Sequence, residues 1–345
     1  MLHIHNGDSS ADTARQSSLA GEHFALRESL ITGPTPSGLS DNEWRRIRSK
    51  HLSEAYGADV KECERGLLSQ EETLASFAQH EEVVLWFEHD LFCQVHLIYL
   101  LNWFSRHALG KTKLSLICIG AFPGKETFRG LGELNAEQLA SLFPARQQVA
   151  NKQLALATSA WEAYCSANPN DIEKVLQADT SPLPFLKAAL QAHLQRFPST
   201  KNGLGLVENR ALELIDEGLN RFTDLFPCFG DAEPVYGLGD AQFWLALQRL
   251  STAEKPLLAI TNGKNDGEKN SEDSQQVLTP ELSEIVRKGR LELTVRGRSV
   301  LNGETDFVAL NGIDLWLGGV HLHDQNNLWR WNEPSRKIVF SSSER

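Results

Sequence analysis

Two continuous apolar runs in the first third of the chain predict buried strands. The segments Val83–Phe87 and Leu114–Ile119 have the unbroken apolar character of parallel strands that are covered on both faces. Shorter strand candidates are Leu2–His5 and Glu22–Glu28, and helical patterns separate the four strands. Because strands and helices alternate, we predict an α/β fold with a Rossmann-like parallel sheet and right-handed crossovers. The predicted helices of this region are 11–19, 41–80 and 91–106.

Beyond this region the pattern becomes helical and then mixed. Residues Asn135–Phe197 read as helical throughout, which predicts a helical middle segment. Two further helices are predicted at 207–217 and 241–250, followed by a strand at Pro256–Ile260. The polar stretch Asn262–Gln276 is typical of a disordered surface loop. After it we predict a helix at 280–288 and strands at 291–295 and 299–301.

The C-terminal pattern looks like a winged helix, with helices followed by a two-stranded wing around Arg296-Gly297-Arg298. We therefore divide the chain into a Rossmann-like α/β domain (1–132), a helical segment (133–200) and a winged-helix-like α+β domain (201–345). A chain of 345 residues is long enough for two or three domains of ordinary size.

Composition excludes several classes of protein. A net charge of −11 argues against a broad nucleic-acid-binding surface, which needs a basic face. The five cysteines are scattered and form no C-x-x-C pair, so a disulfide framework and a structural zinc site are not predicted. The N-terminus does not resemble a signal peptide, and the apolar stretch Val83–Phe104 carries charged residues near its start. We expect a cytoplasmic protein that does not enter the membrane.

Three segments carry a resemblance to one bacterial family. They are His3–Ser9, the extended stretch that ends in Gly33-Pro34-Thr35-Pro36, and Leu85–Gln94. Together they resemble the bacterial domain-of-unknown-function family number 1835 over roughly the first 130 residues. The resemblance implies an α/β fold of Rossmann type and no particular activity. Relatives tend to have an aspartate before the Gly-Pro turn, where this chain has Glu28.

Polar residues follow the predicted strands and are expected to meet at one edge of the sheet, because ligands of open parallel sheets bind beyond the carboxyl ends of the strands. His89, Asp8 and Asp90 are the candidates for acid–base chemistry, since imidazole titrates near neutral pH and carboxylates can orient it. The candidate ligand-binding residues are Asn6, Gly7, Ser9, Arg27, Glu28, Glu88 and Gln94. Gly120 follows the fourth strand and is expected to leave room for a ligand.

These residues predict a small anionic ligand, such as a nucleotide or a phosphorylated metabolite, because free N–H groups at helix starts bind phosphates. The C-terminal domain would report the ligand through a protein partner. No cofactor is identified and no metal site is predicted, because no spacing is diagnostic of a metal. A hydrolase or transferase that uses His89 remains an alternative, as does a DNA-binding regulator that uses the basic wing.

Structural readings of the same residues also stay open. Asp8, Ser9 and Asp90 lie where helix N-caps belong, with Ser10 and Asp12 as further candidates for the first helix. His89 can equally be a buried, hydrogen-bonded structural histidine. Gly7-Asp8-Ser9 resembles the Gly-Asp-Ser block of some serine esterases, but no fitting Asp-x-x-His follows late in this domain. The pairs His3/His5 and His321/His323, the latter next to Asp324, favour solvated strands over metal sites.

Overall fold

A five-stranded sheet forms the centre of the N-terminal part. The structure is a computed structural model that describes residues 1–262, 288–323 and 327–342. The strands run in the order β2-β1-β3-β4-β5. β1 to β4 are parallel, as predicted, and β5 is an antiparallel edge strand. Their bounds are Leu2–His5, Glu22–Ala25, Glu82–Glu88, Lys113–Ile119 and Gln147–Gln148.

Helices connect these strands, and one predicted helix is divided. The segment at 41–80 forms two helices because Gly57 ends the first with a left-handed φ of 74°. Ser40 and Glu43 form a capping box at its start. The helices of this region are α1 (Asp8–Arg15), α2 (Asp41–Tyr56), α3 (Val60–Ala75) and α4 (Leu91–Ser105).

The middle segment is mostly helical, with one exception. Residues 147–148 form β5, because the helix from Ala136 ends at Ser141 and a short 3-10 turn containing Pro144 follows. The prediction of a continuous helical pattern is wrong at this point. The helices are α5 (Ala136–Ser141), α6 (Asn151–Tyr164), α7 (Asn170–Gln177) and α8 (Leu186–Leu194). α6 and α8 pack against α4.

The C-terminal part combines helices with small antiparallel pairs. Its helices are α9 (Leu206–Asp216), α10 (Phe222–Ala232), α11 (Asp240–Ser251), α12 (Val295–Leu301) and α13 (Phe307–Asn311). Three two-stranded sheets pair β6 with β7, β8 with β9 and β10 with β11. These strands are Leu258–Asn262, Gly289–Leu293, Leu315–Leu317, Val320–Leu322, Asn327–Asn332 and Lys337–Ser342.

The predicted wing around Arg296 and Arg298 is wrong, because these residues lie in α12. Thr294 caps this helix by accepting a hydrogen bond from the Gly297 amide at 3.0 Å. The strand predicted at 299–301 belongs to the same helix. The structure therefore shows a mixed α/β arrangement of thirteen α-helices in its described ranges, without confirming a winged helix. The loop predicted at 262–276 and the helix predicted at 280–288 lie outside the described residues except for their outermost positions, 262 and 288.

The two faces of the sheet are covered differently. On β3, Val83, Leu85 and Phe87 belong to a large apolar cluster that also contains buried residues from the middle and C-terminal segments. Val84 and Trp86 point to the other face and join a smaller cluster. Burial on both faces explains the continuous apolar run of β3. None of the helices in the described ranges has the length and apolar character needed to span a bilayer.

A buried group of histidines lies on the face that carries Trp86. His3 and His5 of β1 are fully buried, so the prediction of a solvated strand is wrong for this pair. The His3 ring stacks on His23 of β2 at 4.5 Å, and His5 Nε2 lies 3.2 Å from His23 Nδ1. Burial, reinforced by the charge of His23, lowers the pKa of His3 to about 4 and that of His5 to about 2. Both rings are therefore neutral at pH 7.

We expect this group to make the protein sensitive to acid. Each of these histidines has a lower pKa in the folded than in the unfolded state, so the unfolded state takes up protons first as the pH falls. Their contribution to the free energy of unfolding is therefore fully present above pH 6.5 and is lost as the pH falls toward 4. His5→Phe keeps a ring against Trp86 and removes the titrating group. When the pH is lowered from 7 to 4.5, the free energy of unfolding should decrease in both proteins, and the decrease should be about 2–3 kcal/mol smaller in the variant than in the wild type. Urea denaturation measures both decreases. His107→Phe, at an exposed position, is the control; equal acid sensitivity of His5→Phe and the wild type would refute this expectation.

Candidate functional site

A cleft of about 350 Å³ lies at the carboxyl ends of β1 and β3. We call it the edge cleft. The loops that follow these two strands supply one side of it, as the sequence predicts for an open parallel sheet. The side chains that line this side are Asn6, Ser9, Ser10, Glu88, Asp90, Phe92 and Cys93.

The other sides of the edge cleft come from more distant parts of the chain. Residues 129–133 form one side, and residues 226–238, which include most of α10, form the wall opposite the sheet. Arg129 donates through Nε to Asp231 at 3.1 Å and thereby joins the two. The cleft therefore lies between the N-terminal α/β part and the C-terminal part of the chain.

Glu88 is the most constrained acid of the edge cleft. One carboxylate oxygen accepts from the Leu131 amide at 2.5 Å, and the other accepts from Cys93 Sγ at 2.5 Å. Burial, reinforced by the neighbouring Asp90 carboxylate, raises the pKa of Glu88 to about 7. The Leu131 and Cys93 contacts oppose this rise. Glu88 thus exchanges a proton near neutral pH, which is the range that acid–base chemistry needs.

Asp90 caps α4, so the structural interpretation of this residue is confirmed. Its carboxylate accepts from the Cys93 amide at 2.8 Å, and burial raises its pKa. A Cβ atom on Gly237 would lie 2.1 Å from Asp90 Oδ1, and Gly237 also has a left-handed φ of 57°. Only glycine fits at this position. The backbone of the C-terminal wall therefore packs directly against the Asp90 carboxylate at Gly237.

Asn6 and Ser9 contribute the polar groups that follow β1. Asn6 Nδ2 donates to Cys93 Sγ at 2.8 Å, whereas Asn6 Oδ1 is buried and has no hydrogen-bond partner in the described part of the chain. Ser9 Oγ donates weakly to the Gly132 carbonyl at 3.4 Å. The cap residue of α1 is Gly7 and the helix begins at Asp8, so the predicted side-chain caps for this helix (Asp8, Ser9, Ser10 and Asp12) are wrong.

Three of the predicted ligand-binding and catalytic residues form ion pairs away from the cleft. Asp8 and Arg27 form an exposed ion pair of 2.6 Å. Glu28 is buried and pairs with Arg48 at 2.7 Å. Arg48 also donates to the carbonyl groups of Ser29, Thr32 and Pro34. Glu28 thus fixes the turn that follows β2, and none of these residues lines the edge cleft.

His89 and Gln94 face the end of β4. The His89 ring packs on Phe185 at 6.0 Å, and its Nδ1 atom is buried without a hydrogen-bond partner among the described residues. A Cβ on Gly120 would lie 3.0 Å from Phe185 and 3.2 Å from His89, so the predicted ligand space beside Gly120 is filled. Gln94 donates to the Glu88 carbonyl at 2.7 Å. Neither His89 nor Gln94 belongs to the described residues that line the edge cleft.

Sequence reasoning missed Cys93 and the wall at 226–238. Cys93 lies one turn after the cap residue Asp90, and this spacing places its amide on the Asp90 carboxylate and its side chain beside Glu88. The three-residue spacing between Asp90 and Cys93 is visible in the sequence and could have identified Cys93. The wall is more than 130 residues away along the chain, and only the tertiary packing brings it to the sheet.

Glu88, Asp90 and Cys93 are also a group that can hold a metal ion, although the sequence predicted none. Their ligating atoms lie within 4.8 Å of one another, and all three side chains are buried. Burial and the two nearby carboxylates raise the pKa of the Cys93 thiol well above its usual value, so this thiol keeps its proton. A protonated thiol that donates to Glu88 favours a hydrogen-bonded network over a metal thiolate.

Comparison with known proteins adds no further information. No protein-family model matches the chain, and no curated protein is similar to it in sequence. The resemblance to family number 1835 stays a prediction.

Proposed function

We propose that the protein binds a small polar molecule in the edge cleft, between a Rossmann-like α/β domain and the C-terminal part. One observation carries this proposal: polar side chains from two strand ends meet a distant wall around a cleft of about 350 Å³. That volume is in the range of small-molecule sites. The unpaired Asn6 Oδ1 offers an acceptor there. A ligand in this position would touch both parts, as the predicted coupling of the ligand to the C-terminal part requires.

The charges of the lining favour a ligand that carries hydrogen-bond donors or a positive charge. Glu88, Asp90, Glu133 and Glu233 line the cleft, and the Arg129 guanidinium is already paired with Asp231. The N-termini of α1 and α4 attract anions, but the Asp90 carboxylate already accepts from the N-terminus of α4, and Asp8 adds a negative charge to the first turn of α1. The lining therefore supports a neutral or cationic ligand better than the anionic ligand expected from the sequence.

An enzyme is the second candidate, and the Glu88–Asp90 pair favours it. Two buried carboxyl groups at the strand ends both have raised pKa values, and that of Glu88 is about 7. Such a group can donate or accept a proton at neutral pH. In this version Glu88 replaces His89 as the acid–base group, because Glu88 lines the cleft.

Filling the cleft should abolish ligand binding and leave the fold intact. Gly230 lies in α10 and lines the cleft, and a Cβ atom there would meet nothing within 4 Å. Gly230→Leu places an apolar side chain in this open space. A thermal-shift screen of polyamines, nucleosides and sugars should give ligands that stabilise the wild type and not this variant. Isothermal titration calorimetry then measures the loss, which we expect to exceed about tenfold in Kd.

The matched control is Gly66→Leu. Gly66 also lies in a helix, α3, is exposed, and has open space around its Cβ position. Both substitutions replace a helical glycine and should raise helix stability by similar amounts, up to about 1 kcal/mol. Gly66→Leu should bind ligand as the wild type does. If a ligand binds Gly230→Leu with unchanged affinity, its site is elsewhere and the proposed function fails for that ligand.

A further inference from the structure

A second cavity of about 230 Å³ contains two arginines, and we call it the arginine cavity. It lies between the turn at Thr32 and Gly33 and the elements α2, α9, α11 and β8. Its polar lining consists of Thr32, His51, Arg196, Glu208, Gln242 and Arg249. Leu238 is the only described residue that lines both this cavity and the edge cleft. The two cavities are therefore neighbours with different chemistry.

Each arginine has a buried N–H group without an acceptor. Arg196 Nη2 donates to the Ile31 carbonyl at 2.7 Å. The guanidinium also interacts with the Tyr164 hydroxyl and opposes the rise of the Tyr164 pKa, but the buried Nη1 atom has no partner with hydrogen-bond geometry among the described residues. Arg249 Nη2 donates to Glu208 at 2.7 Å, and Arg249 Nε is likewise buried and unpaired within the described ranges. An unsatisfied buried donor on a charged group is costly. Two of them in one cavity indicate a site for an acceptor.

The charge of the lining is positive. The cavity is lined by two guanidinium groups and one carboxylate, which leaves a net charge of plus one. Burial, reinforced by the charge of Arg48, lowers the pKa of His51 to about 4, so this imidazole is neutral at pH 7. One negative charge on a ligand would balance the lining.

The remaining lining is apolar and sets the size of the ligand. Leu245, Ala246, Leu315 and Leu317 contribute aliphatic surface, and Trp316 contributes an aromatic face that also stacks on His321 at 4.3 Å. A cavity of about 150 Å³ is known to hold benzene. The arginine cavity is larger than this and smaller than a typical drug site. It fits one ring or a short aliphatic chain that carries a carboxylate.

We propose that the arginine cavity binds a small organic monocarboxylate, whose oxygens accept hydrogen bonds from Arg196 Nη1 and Arg249 Nε and whose apolar body packs between α11 and β8. Arginine is suited to this task, because its planar donors match the geometry of a carboxylate. The proposal does not depend on the function of the edge cleft.

Sodium benzoate, compared with uncharged benzamide, tests this proposal in the full-length protein. The two probes have the same shape and differ in the charge and in the second acceptor oxygen. Benzoate at millimolar concentration should raise the melting temperature relative to an equal concentration of sodium chloride, and benzamide should not. Equal effects of benzoate and benzamide, or no effect of benzoate, would overturn the proposal. Stabilisation by sodium phosphate with none by benzoate would also overturn it, because the apolar body would have no role.

Two conservative variants locate the benzoate. Arg249→Lys keeps a cation beside Glu208 and removes the Nε donor, and Arg196→Lys keeps a donor for the Ile31 carbonyl and removes Nη1. Each should weaken benzoate binding by about tenfold or more in calorimetry, because each variant removes a charge-assisted hydrogen bond to the carboxylate. Arg45→Lys, at the ion pair with Glu71, is the matched control and should bind as the wild type does. Unchanged affinity in both cavity variants would place the benzoate elsewhere and refute the assignment.

Discussion

Arg48→Met is expected to lower the free energy of unfolding by about 3–5 kcal/mol, because the substitution leaves Glu28 as an unpaired buried carboxylate. The Arg48 side chain is fully buried and that of Glu28 is 6% exposed. Burial alone would raise the pKa of Glu28, but the charge and hydrogen bonds of Arg48 hold this pKa below its ordinary value. The variant also removes the Arg48 donors from three carbonyl groups, of which that of Ser29 still accepts from the Thr32 amide. Urea denaturation at pH 7 measures the loss.

The exposed pair of Arg27 and Asp8 provides the control for this experiment. Arg27→Met breaks a contact of similar length, 2.6 Å against 2.7 Å, but both partners are accessible to water. Its cost should be at most about 1 kcal/mol. Similar losses for the two arginine variants would contradict our interpretation of Glu28 as a structural anchor.

Glu88→Gln is expected to remove a loss of stability that the wild type undergoes between pH 4.5 and 8. The pKa of Glu88 rises from 4.5 to about 7 on folding, so its contribution to stability is fully present below pH 4.5 and is lost as the pH rises through 7. The loss amounts to about 3 kcal/mol. Glutamine keeps an oxygen for the Leu131 amide, and the Cys93 thiol can turn to accept from the new amide group.

The measurement is the free energy of unfolding of both proteins from pH 4.5 to 8. The difference between variant and wild type should change by about 3 kcal/mol in favour of the variant as the pH rises. The free energy of unfolding of Glu133→Gln, at an exposed position in the same cleft, should follow the same pH dependence as that of the wild type. If the stability of Glu88→Gln also runs parallel to that of the wild type, folding does not raise the pKa of Glu88, and Glu88 does not serve as an acid–base group near neutral pH.

The sequence predicted the sheet better than it predicted the cleft. The strands β3 and β4 were recognisable because a buried parallel strand requires a continuous apolar run, as at Val83–Phe87. Asp90 was recognisable as a cap because caps act within one helical turn. In contrast, Glu28 and Glu88 both follow a strand and look alike in the sequence. Their partners, Arg48 and the 129–133 loop, decide that one is an anchor and the other lines a cleft.

The C-terminal part was harder to predict for a related reason. Residues 296–298 were predicted as a wing and 299–301 as a strand, but the Thr294 cap and the contact of Gly297 with Leu257, just before β6, favour a helix. A Cβ atom at position 297 would lie 2.2 Å from the Leu257 carbonyl oxygen, so the first turn of the helix packs directly against the backbone of the segment that leads into β6. Close packing of this kind depends on tertiary structure, which local patterns do not contain.

Of the described residues, Leu238 alone lines both the edge cleft, which is rich in carboxyl groups, and the arginine cavity, which contains two guanidinium groups. It follows directly on Gly237, whose backbone is confined by the Asp90 carboxylate. A movement that enlarges one compartment at Leu238 narrows the other. A ligand that moves Leu238 would therefore link the occupancy of the two cavities, and linkage is reciprocal: each occupant would change the affinity for the other by the same factor.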